Sequence, residues 1–416
     1  PGEPGPIPAQ KLKVAANQAW FEYQPARVFA PGRQIATFEA PEVVDTPVTE
    51  FDESGLGLEP NNIAAIESLI GYRALRWGRH IDLIITDQRS FRGVDHSNRD
   101  ELAPLFEGQT FPFFPETLSM QLDGGRDYAD GHPPAQLVFG DKSIANYCAT
   151  EPAQSMLGAK QKAWFLERLR SATATWKIWG TSLGTPDWRI DPQHLPAAMG
   201  QWTDGYAVLG NGDWGGVYHE RGQIFDTVRD AGITGFAAVA GDRHSFWAGY
   251  AAKALPPAAF EPVGVSFVVG SITSPGMQEA QEYGRKDDPL RPLYIADRAD
   301  GRIEPTCNLL LHHGVRSALE YAASGDLAKA LALRNPDNAP HLEFVDMGGH
   351  GYATVRVDAT TMQTDFICIP RPLARSPGID GGPLRYRVRH ETTLWRPGET
   401  PRMQQTVLEG NAGLAV

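Results

Sequence analysis

Apolar residues recur along this chain in two distinct periods. In LGAKQKAWFLERLRS (157–171), Leu157, Gln161, Trp164, Phe165 and Leu169 share one face at spacings of three and four, which predicts an amphipathic helix. Helices are also predicted within 11–27, where Pro25 ends the pattern, over 221–231, and near 316–334. Short unbroken apolar runs punctuate these helices: IDLIIT (81–86), WKIWGTSL (176–183), FAAVA (236–240) and VGVSFVVG (263–270). Runs of that length, rich in β-branched residues, predict strands buried on both faces. RALRWGRH (73–80) predicts an edge strand, and two alternating runs at 352–357 and 362–369 flank VDATT as a hairpin.

Helix and strand therefore alternate through the middle and antiparallel strands close the end, which predicts an α/β fold with a mixed sheet. Residues 1–10 (PGEPGPIPAQ) read as a linker or processed terminus, and 371–416 as a C-terminal extension. Residues 91–150, with FPFFP, LDGG and GHPP, predict a long loop-rich excursion of the kind that covers or lines a site. No internal repeat of fixed period is present.

Composition narrows the function classes. A net charge of −12 over 416 residues argues against a nucleic-acid-binding surface. No run of 18 apolar residues predicts a membrane span, and the first residues carry no signal-peptide pattern. The opening segment reads as the start of a processed or truncated chain. Cys148, Cys307 and Cys368 have no zinc-ligand spacing; Cys368 reads as a small buried hydrophobe, and a disulfide is left open.

The strongest chemical signal is AAVAGDRHSFW (237–247). Open α/β sheets bind ligands where strands end and the chain turns outward. Asp242 and His244 lie two positions apart, so in extended chain both point the same way. A carboxylate and an imidazole aimed together suit a metal ion, and Arg243 offers a donor fork for phosphate. A capped strand end with His244 packed on Trp247 fits the same residues equally well. His350, within MGGHGY (347–352), reads as a ligand, a phosphate donor or a turn residue. Asp87 with Arg89 and Arg92 follows the IDLIIT strand, either facing substrate or pairing to hold the loop. Trp188, Trp202 and Tyr206 are candidates for walls of a substrate cleft, with core packing the competing reading. No GxSxG, P-loop or HExxH motif is present.

Seven ordered segments carry a resemblance: LIITDQRSFRG, SMLGAKQKAWFLERL, TATWKIWGTSLGTPDWRIDPQHLP, WTDGY, AVAGDRHSFWAGY, VSFVVGSITSPG and HLEFVDMGGHGYATVRV. Together, across 11–370, the chain resembles the PhoD-like alkaline phosphatase/phosphodiesterase family of metallophosphatases. The resemblance implies a four-layer α/β/β/α sandwich with metals at the strand ends, iron and calcium by family habit, with zinc or manganese as alternatives. It implies hydrolysis of phosphomonoesters or phosphodiesters at alkaline pH, a periplasmic or extracellular location, Asp242 and His244 as metal ligands, and Arg243 and His350 at the phosphoryl oxygens. His350 stands where many relatives carry Arg.

The chain also departs from the family pattern. The early GDxxYxD-like and DDHE segments, which supply most metal ligands, have no counterpart in order; GRDYADG (125–131) lies far out of place. The first strands of the sandwich are thus expected to be missing from this chain, and a second polypeptide is expected to supply them with their ligands. Two alternatives stand beside the phosphatase reading: a phosphodiesterase for lipid or other bulky esters, and a non-catalytic subunit of a heteromeric assembly.

Overall fold

The computed structural model describes residues 7–415 except 109–112, 197–198, 200–201, 203–204, 211, 372 and 374–382. Its centre is a seven-stranded mixed sheet built from β1 (Arg73–Trp77), β2 (Ile81–Ile85), β3 (Trp176–Gly180), β4 (Phe236–Ala240), β5 (Phe246–Ala252), β6 (Pro262–Val268) and β7 (Leu342–Asp346), in the order β7-β5-β6-β4-β3-β2-β1. Strands β2, β3, β4 and β6 run parallel, β1 and β5 run the opposite way, and β7, antiparallel to its neighbour β5, shares the direction of the parallel four. The register aligns Ile85 with Gly180, Val239 with Gly180, and Ala240 with Val268. Four parallel strands therefore end along one sheet edge, and the loops after them converge there.

Period-two alternation sends the faces of this sheet to different partners. Phe236 and Ala238 of β4, with Ile84 and Trp179, pack under the helices Gly158–Ser171 and Tyr218–Asp230. Ala237, with Trp176, Ile178, Phe246, Val265, Phe267 and Phe344, faces a second sheet. That sheet has four antiparallel strands, β8 (His350–Val357), β9 (Thr361–Ile369), β10 (Tyr386–Thr393) and β11 (Met403–Gly410), in chain order. Phe366 of β9 lies 4.9 Å from Phe246 and 5.6 Å from Phe344, ring centroid to centroid, and seals the interface. Residues 386–410, read from sequence as part of an extension, complete this sheet.

Among the described residues the layers are thus helix, sheet and sheet, and Tyr352 (50% exposed) lies on the open face of β8. A third core gathers around Trp188, Trp247, Leu293 and Leu310 and ties the helical segment 291–332 to the sheet.

Several elements differ from the sequence reading. IDLIIT is only half-buried, Ile84 alone being fully enclosed, because β2 lies one strand from the sheet edge. The helix near 316–334 is two helices, Val315–Ser324 and Leu327–Ala332, separated by Gly325 in the left-handed region at φ 68°. Strands β5 and β7 were not anticipated, since FWAGYAA is apolar without alternation and LEFVD is only five residues long. All three cysteines are buried and free.

Candidate active site

The chain leaves β4 at Gly241 and re-enters the sheet as β5 at Phe246, so residues 241–245 form a tight connection at the edge where the parallel strands end. The sequence reading placed Asp242 and His244 on extended backbone. They are instead both left-handed, at φ 70° and 49°, because antiparallel β5 must follow at once. Non-glycine residues rarely hold that conformation, and each costs of order 1 kcal/mol or more. The turn still turns both side chains outward: Asp242 is 48% exposed, while Arg243 between them is 3% exposed.

His244 is held by its other ring nitrogen. Nδ1 lies 2.7 Å from the Pro275 carbonyl oxygen, and a carbonyl can only accept, so Nδ1 carries the proton and Nε2 keeps its lone pair. The His244 carbonyl in turn accepts from the Met277 amide at 3.3 Å. The loop 271–277 therefore braces this residue from both sides.

Beside Asp242 opens a cavity of about 540 Å³. Trp188, Leu209, Met277, Tyr294 and Met347 give it apolar walls, and Arg89, Arg92 and Arg285 line it with guanidinium groups. Two of these are engaged: Arg92 donates to the Gly212 carbonyl and to Asp95, and Arg285 to Gln281 and Asp288 while lying over Tyr294. Arg89 is 63% exposed, and its sole polar side-chain contact among the described residues is Asp242 Oδ1 at 3.5 Å. It is the most exposed guanidinium of the cavity lining.

Other expected site residues lie elsewhere or act differently. Asp87 does not line the cavity; it accepts from the Arg89 and Ser90 amides and the Ser90 hydroxyl, so it caps the turn that carries Arg89. Trp188 does line the cavity. Trp202 packs against Phe139 at 5.5 Å, and Tyr206 lies under the Arg189 guanidinium at 3.3 Å, so both serve packing. Arg243, expected at phosphoryl oxygens, lines the same cavity; its guanidinium is buried and bound to Asp213, Gly184 and Pro186, and Nη1 has no hydrogen-bond partner among the described residues.

His350 is 3% exposed, with Nε2 3.5 Å from Glu279 and Nδ1 3.5 Å from the Ser271 hydroxyl. Burial pushes its pKa down, and the Glu279 carboxylate opposes that shift. It sits behind the loop 271–279, outside the cavity lining. The sequence reading passed over Asp213, Met277, Arg285 and Tyr294. The glycine-flanked GDWGG around Asp213 was the one available signal.

Asp242 and His244 have the right chemistry for a catalytic metal, with the imidazole tautomer fixed by a carbonyl as in metal-ligating histidines. Such a metal needs three protein ligands or more, and among the described residues no group of three or more His, Cys, Asp or Glu side chains could hold one. Two donors are present; the set is not closed.

Comparison with known proteins agrees with this architecture. A family model described as PhoD-like phosphatase matches residues 3–366. Alkaline phosphatase D of Bacillus subtilis (strain 168) is 25% identical over 126 residues, 30% of this chain and 20% of that protein. The solved structure of PhoD superposes with a TM-score of 0.50 at 16% identity, covering 96% of this chain and 49% of that one, which speaks to the fold. The chain thus spans about half the length of that solved relative.

Proposed function

The chain belongs to the PhoD-like phosphatase family, and from that premise we propose that it hydrolyses phosphate esters at the edge formed by Asp242, His244 and Arg89. The observation that carries the reading is the 242–244 turn. It presents a carboxylate 3.5 Å from an exposed guanidinium at the mouth of a cavity large enough for an organic ester, and two positions on an imidazole whose Nδ1 is held by a carbonyl. Arg89 binds the phosphoryl group through its donor fork. Trp188, Met277 and Tyr294 receive the organic part and keep water from it.

Asp242 and His244 are the residues that would hold a metal ion, iron and calcium being the pair that the family resemblance implies. The chemistry such ions supply is Lewis-acid neutralisation of charge on the phosphoryl oxygens. Because two donors fall short of a full set, the proposal includes a second polypeptide segment that brings the remaining ligands.

The outer edge of β8 is the place for it. Among the described residues no strand pairs with that edge, and β8 begins at His350, beside the loop that braces His244. Unpaired strand edges are ready templates for a further strand.

The apolar cavity wall favours a second reading of the substrate, a diester with a bulky group. Turnover of a chromogenic monoester and a chromogenic diester by the native protein decides between them. Hydrolysis of neither, with no metal in the native assembly, would leave the non-catalytic subunit reading in its place.

A further inference from the structure

Arg243 sits between two residues held in an unfavourable backbone conformation, and the question is what holds them there. Its guanidinium is buried at the cavity wall, held through Nε and Nη2, while Nη1 has no hydrogen-bond partner among the described residues. Nε donates to Asp213 Oδ2 at 2.7 Å, and Nη2 donates to the carbonyls of Pro186 at 2.6 Å and Gly184 at 3.2 Å. Cζ lies 4.6 Å from the ring centroids of both Trp188 and Trp247, a doubly stacked cation.

The backbone is pinned as well. The Arg243 carbonyl accepts from the Ser245 hydroxyl at 2.8 Å, and that hydroxyl accepts from Trp247 Nε1 at 2.7 Å. Asp213 is fixed in its turn, taking Trp188 Nε1 at 3.0 Å and the Gly215 amide at 2.7 Å.

The seat is tight. A Cβ at Gly184 would lie 2.3 Å from Arg243 Nε, so position 184 has room for the guanidinium only while it has no side chain. A buried charge whose partner is removed is strongly unfavourable, so this pairing can outweigh the strain of two left-handed residues.

We propose that Arg243 and Asp213 form a positioning pair, which draws residue 243 into the core and thereby projects Asp242 and His244 together toward substrate. This rests on the reading of Asp242 and His244 as the functional side chains. Both members line the same cavity as Asp242, and the pair acts on Asp242 and His244 through the shape of the turn.

Three variants disturb the guanidinium from different sides: Asp213→Asn removes its counter-charge, Gly184→Ala invades its seat, and Arg243→Lys removes its fork. Each is compared with the native protein for kcat and KM on a chromogenic phosphate ester, for melting temperature, and for the ring tautomer of His244 by ¹⁵N resonance in histidine-labelled protein. The expected result is a fall in kcat of about 10- to 100-fold, the cost of roughly an ångström of misplacement, with KM little changed because Arg89 remains. The Nδ1–H tautomer signature of His244 is lost in the same folded variants.

Folded variants with native kcat and the native His244 tautomer would overturn the proposal. So would activity that falls only in step with the folded fraction in all three, which would make the pair a plain stability element. If the native protein hydrolyses no phosphate ester, the functional reading falls instead, and the tautomer comparison still decides whether the pair sets the turn.

Discussion

His244 donates from Nδ1 to the carbonyl oxygen of Pro275 across 2.7 Å, and this one bond fixes which face of the imidazole is free. The residue lies on a left-handed turn, yet its ring is oriented from a separate loop. Replacing it by alanine leaves the backbone demand unchanged, since both are non-glycine residues at positive φ. His244→Ala is therefore expected to keep its melting temperature within a few degrees while losing turnover and bound metal together. A variant with native metal content would contradict the ligand role.

Arg89 offers the cleanest separation of binding from chemistry. Its guanidinium is exposed, and among the described residues its one polar contact is Asp242 at 3.5 Å, so its removal leaves no buried group there unpaired. A charge-assisted hydrogen bond is worth about 1.5–3 kcal/mol, or about 10- to 100-fold in affinity. Arg89→Ala is expected to raise KM by that factor with a smaller change in kcat, and steady-state kinetics on one ester checks it.

Acid stability should report on histidines whose pKa values burial lowers. His390 lies between Phe366 at 4.8 Å and Phe344 at 5.3 Å, and burial pushes its pKa down to about 4. His312 and His341 are also pushed down to about 4 by burial. An unfolded histidine titrates near about 6.5, so between that pH and about 4 the unfolded chain binds more protons and stability falls as pH falls. The contribution is fully present above about 6.5. His390→Gln keeps an amide for Gln405 and removes one titrating ring, so its melting temperature should decline less steeply over that window. A decline as steep as the native protein's would count against this account.

Chelation tests the metal part of the proposal. Asp242 and His244 sit on a surface turn outside all the apolar cores, so metal removal should abolish turnover without unfolding the chain. Circular dichroism should be unchanged, and iron with calcium should restore activity better than zinc or manganese. Restoration by zinc alone to the native rate would argue against the iron–calcium assignment.

The sheet's parallel core was legible because IDLIIT, WKIWG, FAAVA and VGVSFVV are short apolar runs separated by helical periods. The connection after Ala240 was legible as a sharp turn at a strand end, but its backbone geometry was not. Nothing local to GDRHS says that a strand returns at once, and only that return forces Asp242 and His244 to positive φ. The buried bond of Arg243 was not legible for a related reason: a donor fork next to two candidate ligands reads as a phosphate group, and its partner Asp213 lies 30 positions away in sequence. Trp202 and Tyr206 were ambiguous between cleft and core, and tertiary packing decided for core. Asp87 was ambiguous between substrate and loop, and the amides of Arg89 and Ser90 decided for loop.

The central claim is that phosphate esters are hydrolysed where Asp242 faces Arg89. The most direct measurement compares the native protein with Asp242→Asn, in matched preparations, for hydrolysis of a chromogenic phosphodiester at alkaline pH alongside metal occupancy. The account predicts hydrolysis by the native protein and a loss of about 100-fold or more in the variant with lower metal content, since even the second partners of metal ligands are worth about 10- to 100-fold. Equal rates and equal metal in the two proteins would contradict it.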